Sequence, residues 1–144
     1  IKATYDTRSA LTERDAKEVV NKYAESLTRY LLFTDEVPLP EGGIEGDQSL
    51  KEHFLKNARK SAQGNSLREF DLRTRLFKYR CSYMVHSAAF EGLPPPLKER
   101  IILRLKIALD VSRKSPVSLH LRDSEKQSIH RILNSTLKPY SQTK

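Results

Sequence analysis

The sequence is poor in the residue types that hold small proteins together covalently or around metals. Its 144 residues include one cysteine and no tryptophan, and a single cysteine excludes an internal disulfide and any zinc site built from several thiolates. Only five glycines are present, three of them within residues 42–46, and no glycine-rich motif for a nucleotide phosphate occurs. No apolar run approaches the roughly 18 residues of a membrane-spanning helix. The chain therefore predicts a domain held together by apolar packing.

Positive charge is abundant and unevenly placed. The formal net charge is +8, but residues 1–50 carry −4 and residues 51–144 carry +12. A basic surface can attract nucleic acid, anionic lipid or an acidic protein surface. It can equally be a solvated surface that sets solubility and encounter rates. Charge alone therefore leaves the kind of partner open.

Apolar residues recur at steps of three and four in five segments of the chain, which indicates helices. The segments begin near residues 12, 49, 67, 96 and 123. Thr12 has the side chain of an N-cap for the first, and the second and third begin with capping boxes at residues 49–52 and 66–69. The sequence contains no convincing pair of strands and no repeat. It predicts an all-α fold of about five helices, packed as a single irregular bundle in one domain over residues 1–144.

The third segment is the most informative, because it predicts one long central helix over about residues 67–90. Phe70, Phe77 and Met84 recur at seven-residue steps and lie on one side of such a helix. A wide apolar side is typical of a helix at the centre of a core. Basic residues take much of the remaining surface, and we call them the basic face: Arg68, Arg73, Arg75, Lys78 and Arg80.

Residues 34–48 interrupt the helical pattern with two prolines and three glycines. They predict a long acidic loop, whose carboxylates are those of Asp35, Glu36, Glu41, Glu45 and Asp47. The spacing does not match an EF-hand, which needs ligands at alternate positions and a closing Glu. The loop is either a surface connection or a binding element for a cation or a basic partner. Together, the acidic loop and the basic face form the candidate interaction surface.

Residues that could carry chemistry are few. Cys81, Met84 and His86 have the sulfur and nitrogen atoms that a soft metal prefers, but on one helix His86 points well away from Met84. Cys81 lacks an identifiable partner that would activate its thiolate. The sequence has no motif for haem attachment, nucleotide binding or a serine nucleophile. We predict no catalytic residue, no metal ligand and no cofactor in this chain.

The start of the sequence predicts that the chain is a processed product or a part of a longer protein. It begins with Ile1 rather than methionine, and no pattern of a signal peptide follows. Pro139 predicts the stop of the last helix. We expect residues 1–10 and 139–144 to be poorly ordered.

Three stretches resemble a family of large exported bacterial proteins. They are residues 29–39 (Arg-Tyr-Leu-Leu-Phe-Thr-Asp-Glu-Val-Pro-Leu), residues 64–87 around Tyr-Arg-Cys-Ser-Tyr-Met, and residues 89–94 (Ala-Phe-Glu-Gly-Leu-Pro). Over about residues 24–138, the chain is similar to the C-terminal segment of these uncharacterised proteins, some of them associated with c-type cytochrome modules. The family more often has proline at the position of Arg80, which implies a kink in the long helix. The resemblance implies a periplasmic or cell-surface setting and carries no defined activity.

These observations favour a non-catalytic helical domain that acts in interaction or assembly within a larger exported protein. Its partner would be another protein or other domains of the parent protein, and the oligomeric state stays open. One alternative is a module associated with a redox or haem protein, with haem on a neighbouring domain. A further alternative is nucleic-acid binding through the basic face at residues 73–80.

Overall fold

A computed structural model describes the backbone of residues 2–143 and the side chains of residues 13–143. Within this part of the chain the structure has helices and no strands, so the predicted all-α fold is confirmed. None of these helices is both long and apolar enough to cross a membrane. The helices are α1 (Lys2–Leu31), α2 (Gln48–Lys56), α3 (Ala88–Glu91), α4 (Pro95–Ala108), α5 (Asp123–Thr136) and α6 (Lys138–Gln142), with short 3-10 helices at Tyr83–His86 and Pro116–Ser118.

The core lies where α1 packs against α4, and α6 joins α4 to α5. Helices α1, α4 and α5 direct small or aliphatic side chains to this core at helical spacing, and α6 adds Tyr140. Fully burying one aliphatic side chain of this kind stabilises a fold by about 1.5–3 kcal/mol. The innermost side chains are those of Ala24, Ile101, Leu105, Ile129, Ile132, Leu133 and Tyr140.

Helix α1 begins earlier than the sequence predicts. The helix starts at Lys2, ten positions before the predicted cap at Thr12. No proline or glycine interrupts residues 1–31, so nothing in the chain forces a break where a capping side chain happens to stand. A capping preference of about 1 kcal/mol does not end a helix whose neighbours all continue it.

The predicted long central helix over residues 67–90 is wrong. Residues 69–78 instead form a hairpin-like turn, in which Lys78 N donates to Glu69 O at 2.9 Å and Leu72 N donates to Arg75 O at 2.8 Å. The Asp71 carboxylate accepts hydrogen bonds from the backbone N–H groups of Arg73 and Thr74. Such local bonds compete with the backbone hydrogen bonds of a helix. Two residues seven positions apart can lie side by side along a helix, and they can also face each other across a turn. In this structure Phe70 and Phe77 face each other across the turn, and the centres of their stacked rings are 5.4 Å apart.

The two capping boxes also differ from the prediction. Helix α2 begins at Gln48, and its cap is Asp47, whose carboxylate accepts from Leu50 N at 3.0 Å. At the second box, Ser66 N donates to Glu69 Oε2 at 2.8 Å and the Ser66 hydroxyl accepts from Arg68 N. These capping contacts form around a turn, because the backbone after Glu69 pairs with residues 75–78 rather than continuing as a helix.

Residues Lys138–Gln142 form α6, within a stretch where the sequence predicts a poorly ordered tail at 139–144, and the order of this tail stays a prediction. Pro139 lies in the first turn of α6, a position where proline costs no helical hydrogen bond. Tyr140 is fully buried and its hydroxyl lies 2.7 Å from His130 Nδ1. Lys144 lies outside the described residues, as do Ile1 and the side chains of residues 2–12, so the expectation for residues 1–10 stays a prediction.

Candidate functional site

The basic face does not form one open surface, and Arg80 is its most enclosed member. Arg80 Nη2 lies 2.7 Å from Glu125 Oε2, and Arg80 Nε lies 3.1 Å from Glu125 Oε1. The Arg80 backbone N–H also donates to Glu125 at 3.0 Å. The two side chains are only 19% and 10% exposed. Burial raises the pKa of the Glu125 carboxyl, but hydrogen bonds from Arg80 outweigh burial and keep this pKa below its ordinary value.

Two further basic side chains stabilise the 69–78 turn from within. Arg75 donates to the carbonyl oxygens of Phe77 and Lys78 at 3.1 and 2.9 Å, and lies 3.7 Å from Glu125. The Lys78 ammonium lies 3.9 Å from the Glu69 carboxylate. The cationic groups of Arg75 and Lys78 therefore already interact with groups of the chain itself.

Arg68 belongs to an aromatic cluster rather than to solvent. Its guanidinium lies 4.6 Å from the centre of the Phe54 ring and 4.9 Å from the centre of the Tyr83 ring. Its Nη1 donates to the Phe54 carbonyl at 3.0 Å. Arg73, at the tip of the 69–78 turn, is exposed, and the structure gives its side chain no bond to another described residue.

The acidic loop is hydrogen-bonded to neighbouring segments, and its carboxylates do not form one cluster. Ile44 N donates to Leu72 O at 2.9 Å, which places the loop along the 69–78 turn. Asp35 forms an ion pair with Arg29 at 2.7 Å, and Asp47 caps α2. The remaining carboxylates of the loop are those of Glu36, Glu41 and Glu45. Within the described part of the chain, no group of three or more His, Cys, Asp or Glu residues is arranged to hold a metal ion.

Cys81, Met84 and His86 do not share a site. Cys81 is fully buried, and burial raises the pKa of its thiol to about 12, so the reactive thiolate is scarce near neutral pH. Met84 is 39% exposed. The ring of His86 is engaged by Thr136, whose Oγ1 lies 2.9 Å from His86 Nε2.

The structure reveals an apolar surface that the sequence assigned to the core. Val19, Tyr23 and Tyr30 of α1 are 50%, 59% and 73% exposed, respectively. We call these three side chains the stripe. Tyr30 also lines a groove of about 500 Å³, which has no charged lining residue and whose lining includes Leu76 and Met84. We call these five side chains the apolar surface.

The apolar pattern of the first helix includes the residues of this stripe, but the pattern is too wide to show which of its residues are buried. In α1 the buried positions are Ala24, Thr28 and Leu31, and the exposed stripe lies beside them around the helix. Seven apolar residues recur along one side of this helix, and a single contact with α4 covers only part of that side; they are Ala16, Val19, Val20, Tyr23, Leu27, Tyr30 and Leu31. An apolar side wider than the available contact is thus the signal for a docking face.

No family model, curated protein or solved structure matches this chain. The geometry of the apolar surface and of the charged residues therefore carries the functional argument.

Proposed function

We propose that this chain is a non-catalytic interaction domain of a larger exported bacterial protein, and that it docks an amphipathic helix through the apolar surface. The observation that carries the proposal is the exposure of Tyr23 and Tyr30, at 59% and 73%, beside an uncharged groove. Contiguous exposed apolar side chains of this kind mark interaction surfaces. The exported setting rests on the resemblance of residues 24–138 to exported bacterial proteins.

The stripe has the spacing and length that suit a helix as the partner. Val19 and Tyr30 are eleven residues apart, which at 1.5 Å per residue is about 16 Å along α1. Residues 13–19 of α1 are exposed on every side, and an isolated helical stretch of this length is only marginally stable in water. A partner helix packed along the stripe would bury these side chains and stabilise this part of α1.

The groove defines the chemistry of the contacting side chains. Its lining includes Leu27, Phe33, Phe90 and Leu93, and its polar side-chain groups are the hydroxyls of two serines and two tyrosines. Because a charged group placed there would lose water without gaining an ion pair, the partner should insert Leu, Met or Phe side chains. The partner is another protein or a separate domain of the parent protein.

Site-specific photo-crosslinking tests this proposal. A photoreactive phenylalanine analogue replaces Tyr30 in the parent protein in its native host, and the matched control replaces Leu119, which is 70% exposed and lies outside the groove. We expect a single adduct of defined mass at position 30 and none at position 119. The same adducts at both positions, or an adduct of two copies of the chain, would contradict docking of a separate helix.

Nucleic-acid binding through the basic face has weaker support. Four of its five cations are engaged by carboxylates, carbonyl oxygens or aromatic rings of the chain itself. Phosphate contacts would have to displace these bonds, and Arg73 alone would contribute a small salt dependence. No contact in the described residues favours the haem-associated alternative.

A further inference from the structure

A polar cleft lies where α3, α4 and the junction of α5 and α6 meet. Its volume is about 460 Å³, and three basic side chains from different elements line it: Arg59 after α2, Lys98 of α4 and Lys138 of α6. A smaller hollow of about 170 Å³ shares Arg59 and His86 with the cleft and adds Arg68. Four cations from separate segments therefore line the cleft or the hollow that shares residues with it. We call these four side chains, with His86, the basic cleft.

Like most of the described basic residues, the cations of the basic cleft have no carboxylate within ion-pair distance, but they line two spaces that share residues. Among the described residues, Arg29 and Arg80 form ion pairs at 2.7 Å, whereas no ion pair involves any cation of the basic cleft. Glu91 is the one carboxylate among the lining residues, and its contact with Lys98 is through the backbone carbonyl at 3.2 Å. Unpaired like charges repel, and a bound anion removes this repulsion.

His86 lines both the cleft and the hollow. The Thr136 hydroxyl donates to the Ile132 carbonyl at 2.6 Å, so its proton is used. With the hydroxyl proton assigned to Ile132, the network assigns the donor role to His86 Nε2, 2.9 Å from Thr136 Oγ1. Nδ1 is left as a lone-pair acceptor on a ring that lines both spaces. Burial and then the charges of Arg59 and Arg68 lower the pKa of His86 to about 4, which keeps the ring uncharged at neutral pH.

We propose that the basic cleft binds a small molecule that bears a phosphate monoester. Phosphate oxygens accept from Arg59, Lys98 and Lys138 in charge-assisted hydrogen bonds. Because the second pKa of a phosphate ester is about 6, part of the population carries a hydroxyl that can donate to His86 Nδ1. A carboxylate has no such proton at neutral pH. The volume of about 460 Å³ holds the phosphate with a small organic group and lies in the usual range for small-molecule sites.

A titration of the chain with glycerol 3-phosphate, followed by amide NMR shifts at constant ionic strength in chloride, tests the proposal. We expect saturable shifts at His86, Asn134 and Lys138, with a Kd below about 1 mM. Lys138→Gln should raise the Kd about tenfold, since a hydrogen bond to a charged group contributes on this order. The matched control is Lys114→Gln, an exposed lysine outside the cleft, which should leave the Kd unchanged.

Four results would overturn the proposal. The first is shifts that grow linearly without saturation, and the second is equal weakening by Lys114→Gln and Lys138→Gln, since both indicate non-specific attraction to net charge. The third comes from co-sedimentation with phosphatidylglycerol vesicles. Retention on these vesicles without any response to glycerol 3-phosphate would assign the cations to a membrane surface. Acetate at equal concentration should bind more weakly than glycerol 3-phosphate, and equal affinity would exclude recognition of phosphate.

Discussion

At the residue scale, polar side chains join irregular segments to distant helices. Arg80 reaches Glu125 across 45 residues of sequence, and the Thr34 hydroxyl donates to the Val117 carbonyl at 2.7 Å across 83 residues. His120 Nε2 lies 2.7 Å from the Leu32 carbonyl. Irregular chain lacks the internal bonds of a helix, so its buried polar groups need such partners. These contacts therefore stabilise the part of the molecule where helices are missing.

The first prediction concerns the Arg80–Glu125 pair. Glu125→Ala should lower the free energy of unfolding by about 3 kcal/mol, because it leaves the Arg80 guanidinium enclosed without its partner. Urea unfolding measures the loss. The control Arg73→Ala removes an exposed arginine and should change stability by less than about 0.5 kcal/mol. Similar small losses in both variants would contradict a structural role for the pair.

The second prediction concerns the pH dependence of stability. The pKa of His86 is about 4 in the folded chain, against an ordinary 6.5. Between these values the unfolded chain binds a proton at His86 that the folded chain does not, so the free energy of unfolding falls as the pH decreases from 6.5 towards 4. The slope approaches about 1.4 kcal/mol per pH unit for one proton.

Urea unfolding between neutral pH and pH 4, in buffers without phosphate, measures this contribution. His86→Gln should remove this part of the slope, so the difference between the two chains should shrink as the pH decreases. Parallel curves for the two chains would show that His86 titrates alike in the folded and unfolded states. Direct NMR titration of the ring should give a midpoint near 4.

At the element scale, the acidic loop and the 69–78 turn form one unit. Leu39 N donates to Thr74 O and Ile44 N donates to Leu72 O, both at 2.9 Å. Leu72 has a φ of +63°, a left-handed conformation that costs a branched residue about 1–2 kcal/mol. The bonds to the loop hold this conformation, so loop and turn should be stable or unstable together.

The third prediction compares two neighbouring glycines of the acidic loop. A Cβ at Gly43, where φ is +73°, would overlap the Leu72 carbonyl oxygen and lie 2.8 Å from the Arg73 Cα. Gly42 has a φ of +87° but no atom within 4 Å of such a Cβ. Gly42→Ala should therefore cost only the left-handed conformation, about 1 kcal/mol.

Gly43→Ala should cost at least about 2 kcal/mol more, because the loop must also move away from the turn. Thermal unfolding of both variants measures the difference. Equal costs for the two variants would mean that the loop does not pack on the turn as the structure has it.

At the scale of the whole molecule, α1 divides into a packed and an exposed half. From Ala24 to Leu31 it packs against α4, whereas residues 13–19 are exposed on every side. The Arg14–Glu18 pair at 3.9 Å is largely exposed and contributes little to stability. Among the described side chains, those of residues 13–19 therefore lie outside the packed core, and Val19 among them belongs to the apolar surface.

The fourth prediction is a difference in amide hydrogen exchange along α1. The backbone amides of residues 13–19 should exchange at least about 100-fold faster than those of residues 24–31, because only residues 24–31 are covered by buried apolar contacts. Exchange followed by mass spectrometry measures both segments in one experiment. Uniform protection along the helix would contradict the exposed state of this half in the free chain, and slowing of residues 13–19 on partner binding would match the proposed docking.

Helix periodicity, together with the glycines and prolines of the acidic loop, decided the all-α class from the sequence, because these signals act between residues a few positions apart. Where a short spacing fits more than one local conformation, contacts between distant parts of the chain determine which conformation forms. A seven-residue step between Phe70 and Phe77 fits both a helix and a turn, and the bonds from Arg80 to Glu125 and from the acidic loop to the turn select the turn. The long-range pair with Glu125 engages Arg80 of the basic face. Contacts nearer in sequence engage Arg68, Arg75 and Lys78. Only the packing of α1 on α4 determines that Tyr23 and Tyr30 lie outside the core.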